Sequence, residues 1–142
     1  MKSRVFVTHS EEETVALGRG LSGELTGAVL LIGNLGAGKT TLAKGIVEGR
    51  NAATADDVSS PTFTLIHQYG ADDKIVYHID LYRLDEAREV ESLGLDDLFA
   101  GGALVLLEWA ERFPELMPRQ RTEIRLRTLD DDSREIVVTS LP

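Results

Sequence analysis

The stretch Gly33-Asn34-Leu35-Gly36-Ala37-Gly38-Lys39-Thr40 fits the pattern G-x-x-x-x-G-K-[ST], whose chemistry is the holding of a phosphate chain. Glycines at both ends and at position 36 let the backbone curl so that successive N–H groups point inward at an anion. Lys39 then reaches the β- and γ-phosphates, and the Thr40 hydroxyl is placed to ligate Mg²⁺. Thr41 continues into a helix whose N-terminus adds partial positive charge. Every position from Gly33 to Thr41 is a candidate nucleotide contact.

A phosphate loop needs acids to manage the metal and the attacking water. Two carboxylates end apolar runs, where ligands of open α/β sheets bind: Asp80 after Ile75-Val76-Tyr77-His78-Ile79, and Glu108 after Ala103-Leu104-Val105-Leu106-Leu107. Either one alone reads equally as a solvated carboxylate at a strand end; the pair beside a phosphate loop points to chemistry. Ser59-Ser60-Pro61-Thr62-Phe63 lies between the loop and Asp80, where nucleotide switches keep a hydroxyl that senses the γ-phosphate. Thr62 is the candidate, although Ser-Pro before a strand is equally a plain turn. His78, Tyr82 and Arg83 surround Asp80 in sequence and are candidates to orient it or to touch a substrate. Trp109 is the sole tryptophan, and Asp85, Glu86, Glu89, Glu91, Asp96 and Asp97 read as a solvated acidic face or a dock for a basic partner.

The elements that must position these groups alternate between strand and helix. Arg4 to Thr8 reads as a short strand, and Ser10 with Glu13 forms a capping box that opens a helix through Thr14, Leu17 and Leu21. Ala28 to Ile32 is a continuous apolar run, as in a parallel strand buried on both faces. After the loop, Leu42, Ala43, Ile46 and Val47 form one helical stripe in a helix to about Gly49. Thr62 to Tyr69 and Ile75 to Asp80 read as a hairpin about Ala71-Asp72-Asp73-Lys74. Glu86 to Leu93 is helical and stops at Gly94, Ala103 to Leu107 is a second buried strand, and Glu123 to Leu129 with Glu135 to Thr139 make a closing hairpin. The expected fold is α/β: a single phosphate-loop NTPase domain over residues 1–142, with a mixed parallel and antiparallel sheet and helices packed on it.

Composition narrows the function. The longest purely apolar runs are five residues, so no membrane span is expected, no signal peptide is visible, and a cytoplasmic protein is the default. The absence of cysteine excludes disulfides, thiolate metal sites and a thiol nucleophile. A net charge of −9 argues against a chain that grips nucleic acid by itself, so any RNA connection must come through a partner.

The combined motifs are more specific than the phosphate loop alone. G-N-L-G-A-G-K-T-T at Gly33 to Thr41, S-P-T-F at Ser60 to Phe63, H-I-D-L-Y-R-L at His78 to Leu84, S-L-G-L at Ser92 to Leu95 and L-E-W at Leu107 to Trp109 resemble, in this order, the bacterial TsaE (YjeE) family. The likeness runs from about Glu11 to Trp109. Asn34 stands where the family usually has Asp, and Ala110 where Pro commonly follows Glu-Trp; neither departure removes a phosphate or metal group. The carboxy-terminal hairpin carries no matching motif.

The resemblance implies an ATPase, with ATP and ADP as substrate and product and Mg²⁺ as cofactor, that assists formation of threonylcarbamoyladenosine beside the anticodon of tRNA. In that family the transferase is TsaD, paired with TsaB, and TsaE binds the pair and hydrolyses ATP to sustain turnover. Carried over, Lys39 contacts the phosphates, Thr40 and Glu108 hold Mg²⁺, and Asp80 positions water or metal. Glu11 lies near the base, Thr62 is the switch, and Trp109 helps fix the partner-facing site. The expected partners are TsaD-like and TsaB-like proteins, with tRNA met only through them. Two other classes compete: a small-molecule kinase, which needs an arginine-bearing lid that Arg119, Arg121, Arg125 and Arg127 do not obviously supply, and a nucleotide-gated binding module that hardly turns over.

Overall fold

The two apolar runs lie side by side as parallel strands, buried at every residue, in the middle of a seven-stranded sheet. The computed structural model describes residues 2–61 and 63–142. In chain order the elements are β1 (Lys2–Thr8), α1 (Glu11–Ser22), β2 (Ala28–Ile32), α2 (Lys39–Gly49), β3 (Ile66–Tyr69), β4 (Val76–Asp80), α3 (Ala87–Glu91), α4 (Leu95–Ala100), β5 (Leu104–Glu108), β6 (Arg121–Thr128) and β7 (Arg134–Leu141). The sheet order is β1-β7-β6-β2-β5-β4-β3. β2 pairs parallel with β5 and β6, and β4 pairs parallel with β5; the two hairpins and the β1–β7 pair are antiparallel. This is the expected mixed sheet.

Period-two alternation divides the central side chains between two cores. Val29, Leu31, Val76, Leu104 and Leu106 pack with Leu42, Ile46 and Val47 of α2 and Leu21 of α1. Ala28, Leu30, Ile79, Val105 and Leu107 pack against Val90 of α3 and Leu95 of α4 on the other face. His78, Asp80 and Glu108 continue the first series, so both strand-end carboxylates face the α2 side. The two helices on that side touch through their backbones. A Cβ at Gly45 would lie 2.0 Å from the Val15 carbonyl oxygen, and one at Gly18 would lie 2.5 Å from that of Leu42.

Several boundaries differ from the sequence expectation. β3 begins at Ile66 rather than position 62, because Leu65 takes a left-handed φ of 69° and its N–H turns back to the Pro61 carbonyl at 2.6 Å, which ends the extended run. The helix expected over Glu86 to Leu93 is only Ala87–Glu91; the chain turns at Gly94 and enters a second short helix, α4, that sequence reading did not anticipate. β1, β6 and β7 are longer than expected because each is completed by cross-strand pairing. Ser10 caps α1 by accepting from the Glu13 N–H at 3.1 Å, but the Glu13 carboxylate takes the N–H of His9, at 3.0 Å, instead of that of Ser10. Among the described residues no helix is long and apolar enough to cross a membrane.

Candidate nucleotide-binding site

The loop between β2 and α2 is curled for an anion. Gly38, immediately before the helix, has φ 105°, a backbone that side chains other than glycine rarely adopt, and the Ala37 N–H closes a turn onto the Asn34 carbonyl at 3.1 Å. Lys39, the first residue of α2, is 5 % exposed. Its Nζ donates to the Gly33 carbonyl at 2.7 Å and lies 3.6 Å from the centre of the Trp109 ring. Burial pulls the ammonium pKa below its ordinary value, against the opposing pull of Glu108, Glu111 and Asp80.

The register of β4 and β5 sets Asp80 directly beside Glu108 at the carboxyl edge of the sheet, both buried to 3 % exposure. Each is held by named donors. Ser60 Oγ donates to Asp80 Oδ2 at 3.0 Å and the Tyr82 N–H to Oδ1 at 2.9 Å. Thr40 Oγ1 donates to Glu108 Oε2 at 3.4 Å, and His78 Nε2 lies 2.5 Å from that same oxygen. The chain after Asp80 is clamped by Arg112, whose guanidinium bonds the carbonyls of Leu81, Tyr82 and Leu84. Tyr82 thereby packs on Trp109, with ring centres 5.0 Å apart. Trp109 itself has φ 67°, a left-handed conformation that costs a bulky residue about 1–2 kcal/mol and is kept where the surroundings fix it.

The loop and the two carboxylates line a cavity of about 650 Å³. Of the expected nucleotide contacts, Leu35, Gly36, Gly38, Lys39, Thr40 and Thr41 line it, and so does Glu11 from the start of α1. Gly33, Asn34 and Ala37 shape the loop through backbone hydrogen bonds instead of facing the cavity. Asp80, Glu108, Tyr82 and Trp109 are all brought to it. Thr62 lies outside the described residues. The His78 ring meets Glu108 on the neighbouring strand rather than Asp80, the acid two positions along its own strand. Arg83 is exposed and sits over the exposed Phe63 ring, 5.0 Å from its centre, away from the cavity lining.

Sequence reading missed Ser10, Thr14, Ser60, Asp132 and Arg134, which also line the cavity. Ser60 had a signal, since it opens the S-P-T-F stretch. Arg134 had none: the β6–β7 hairpin carries it back to the phosphate loop, where Nη2 reaches the Gly36 carbonyl at 3.4 Å across 98 positions of sequence.

A glycine-rich loop between a buried parallel strand and a helix, faced by carboxylates at the ends of neighbouring parallel strands, defines a domain of the phosphate-loop NTPase class. The chain belongs to the TsaE family: the family model "Threonylcarbamoyl adenosine biosynthesis protein TsaE" matches residues 8–136. The tRNA threonylcarbamoyladenosine biosynthesis protein TsaE of Bacillus subtilis is 40% identical, aligned over 99% of this chain and 88% of its own length. The protein of the same name from Rickettsia bellii is 37% identical over 94% of this chain and 93% of its own. A crystal structure of Bacillus subtilis YdiB matches with a TM-score of 0.81 at 33% identity, covering 99% of this chain and 87% of that one.

Proposed function

We propose that this protein binds and hydrolyses Mg²⁺-ATP to assist a TsaD–TsaB-like pair in forming threonylcarbamoyladenosine on tRNA, without itself transferring the group. One observation carries the nucleotide part of the reading: a single cavity gathers the phosphate loop with Lys39 and Thr40 and the adjoining carboxylates Asp80 and Glu108. The pathway part rests on the family.

The donor set fits Mg²⁺. A hydroxyl and a carboxylate are hard oxygen donors, and Mg²⁺ is commonly held by one or two carboxylates with phosphates and water completing its shell. Among the described residues no cluster of three or more His, Asp or Glu stands ready to cage a metal, and phosphates and water would complete the coordination. Thr40 and Glu108 would hold the ion, which supplies neutralisation of charge on the phosphate oxygens. The loop N–H groups and Lys39 would bind the phosphates, and Arg134, reaching the Gly36 carbonyl, would add a second cation beside the loop. Asp80, with an oxygen fixed by Ser60 and the other by the Tyr82 N–H, is oriented to accept a hydrogen bond from the attacking water. Glu11 and Thr14, which also line the cavity, would meet the nucleoside.

Arg134 leaves the kinase alternative weaker than the assisting ATPase, because this arginine starts a paired strand and is not carried on a lid. The test is phosphate release by the protein alone and with the TsaD–TsaB pair, alongside modified adenosine formed on tRNA over many turnovers. Slow release alone, stimulation by the pair and dependence of repeated modification on this protein are expected. Fast release by the lone chain, or undiminished modification when it is omitted, overturns the reading; a phosphorylated metabolite in the first assay turns it to a kinase.

A further inference from the structure

His78 is completely buried, 0 % exposed, at the middle of β4. A histidine so placed is ordinarily a packing residue whose two ring nitrogens are both satisfied. Here they are treated unequally. Nε2 lies 2.5 Å from Glu108 Oε2, while Nδ1 is buried with no hydrogen-bond partner. An ionised carboxylate oxygen can only accept, so against ionised Glu108 it is Nε2 that donates. The structure therefore leaves one buried ring nitrogen, Nδ1, without a partner among the described residues, at a cost of about 1–3 kcal/mol, and directs the Nε2–H at the carboxylate that faces Thr40. A leucine or valine would fill this strand position without that cost.

We propose that His78 is the positioning residue for Glu108: its Nε2–H fixes one carboxylate oxygen, so that Glu108 and the Thr40 hydroxyl are presented to the cation together. The inference rests on the Mg²⁺-nucleotide reading of the site. Glu108 is the last residue of β5, and three χ angles separate its carboxylate from the backbone. Oε2 takes both the Thr40 hydroxyl and the imidazole N–H. Oε1 accepts a hydrogen bond from no described residue and belongs to a side chain that lines the cavity. Without His78 the one remaining hydrogen bond to this carboxylate from a described residue is that of Thr40, at 3.4 Å, the long limit for an O–H donor. Partners that orient a metal-ligating carboxylate change metal affinity about 10–100-fold when removed.

The experiment measures ADP binding by calorimetry across a Mg²⁺ titration and in EDTA, for the parent protein and His78→Leu, His78→Gln and His78→Asn. The glutamine amide nitrogen reaches the place of Nε2, whereas that of asparagine reaches only the place of Nδ1. In His78→Leu and His78→Asn the Mg²⁺ concentration for half-maximal effect should rise about tenfold or more, with affinity in EDTA unchanged; His78→Gln should stay close to the parent. If His78→Leu does not fold, the contrast of Gln with Asn decides, together with the ¹⁵N spectrum of the parent histidine, which should show the proton on Nε2. A proton on Nδ1, an unchanged Mg²⁺ requirement in His78→Asn, or an equal loss of affinity in EDTA overturns the proposal. A parent whose ADP binding ignores Mg²⁺ overturns the metal reading itself, and the inference falls with it.

Discussion

The contact between α1 and α2 makes a prediction whose sign is set by structure against propensity. Gly45 and Gly20 both lie inside helices, and replacing either by alanine gains about 0.5–1 kcal/mol from backbone entropy and helix propensity. At Gly20 nothing lies within 4 Å of the new Cβ, so the gain stands alone. At Gly45 the Cβ would meet the Val15 carbonyl oxygen at 2.0 Å, where ordinary contact begins at 3.4 Å, and the obstacle is backbone. The helices must part by about an ångström, an overpacking cost at the upper end of about 1–3 kcal/mol. Gly45→Ala is therefore expected to destabilise by about 2 kcal/mol net, which for a chain of this length lowers Tm by about 6 °C, while Gly20→Ala raises it by about 2 °C. Calorimetric melting of the two variants reads the difference. Because α1 carries Glu11 and Thr14 to the cavity, Gly45→Ala should also weaken ADP binding several-fold, and Gly20→Ala should not. If Gly45→Ala melts at or above the parent, the helices do not meet through their backbones and the positioning of Glu11 by this contact is wrong.

Three further outcomes follow from the site. Burial lowers the Lys39 pKa in the free protein, and phosphates at the ammonium raise it, so binding takes up a proton at alkaline pH and affinity falls as pH climbs through the free value. ATP titrations in buffers of different ionisation enthalpy should show this uptake for the parent and none for Lys39→Arg; no buffer dependence in the parent at alkaline pH counts against a buried lysine. Trp109 is the sole tryptophan and lies under the Lys39 ammonium, so its fluorescence should change saturably as nucleotide draws the lysine to the phosphates. A flat signal where calorimetry shows saturation would refute that movement. Arg134→Ala should raise the ADP Kd about tenfold, the worth of one charge-assisted hydrogen bond of about 1.5 kcal/mol; an unchanged Kd places the guanidinium outside the phosphate field.

What sequence reading captured is what short segments decide. Strand, loop and helix around Lys39 are specified within Ala28 to Gly49, and both strand-end acids follow from apolar runs that stop at them. What it missed depends on register and closure. His78 and Asp80 are neighbours along β4, but Glu108 comes to both only once β4 and β5 pair in parallel, and no local pattern says which acid the imidazole meets. Arg134 reads as the residue after an acidic turn until β7 runs back beside β6 and brings it to Gly36. α4 is a six-residue helix with Leu95 buried and Leu98 and Phe99 half-buried, too short for a helical period to show. The left-handed Trp109 is a consequence of packing against Tyr82 and Lys39, not of its own preference.

The charge of the chain gives these pieces a common requirement. A protein of net charge −9 that receives a polyanion works against its own field, and within the cavity Asp80 and Glu108 stand beside Lys39 with Glu111 close enough to act on it. Lys39 and Arg134 alone do not outweigh three carboxylates and a triphosphate. The loop N–H groups offset part of the difference at fixed geometry. On the proposed reading a divalent ion between the phosphates and Glu108 does the rest, turning a repulsive carboxylate into a ligand. Nucleotide affinity is then tied to Mg²⁺ through Glu108, whose Oε2 meets Thr40 from the phosphate-loop helix and His78 from β4. The same carboxylates at ordinary surface sites would be solvated and indifferent; buried at the ends of adjoining parallel strands, they would, on the proposed reading, make phosphate binding conditional on the cation.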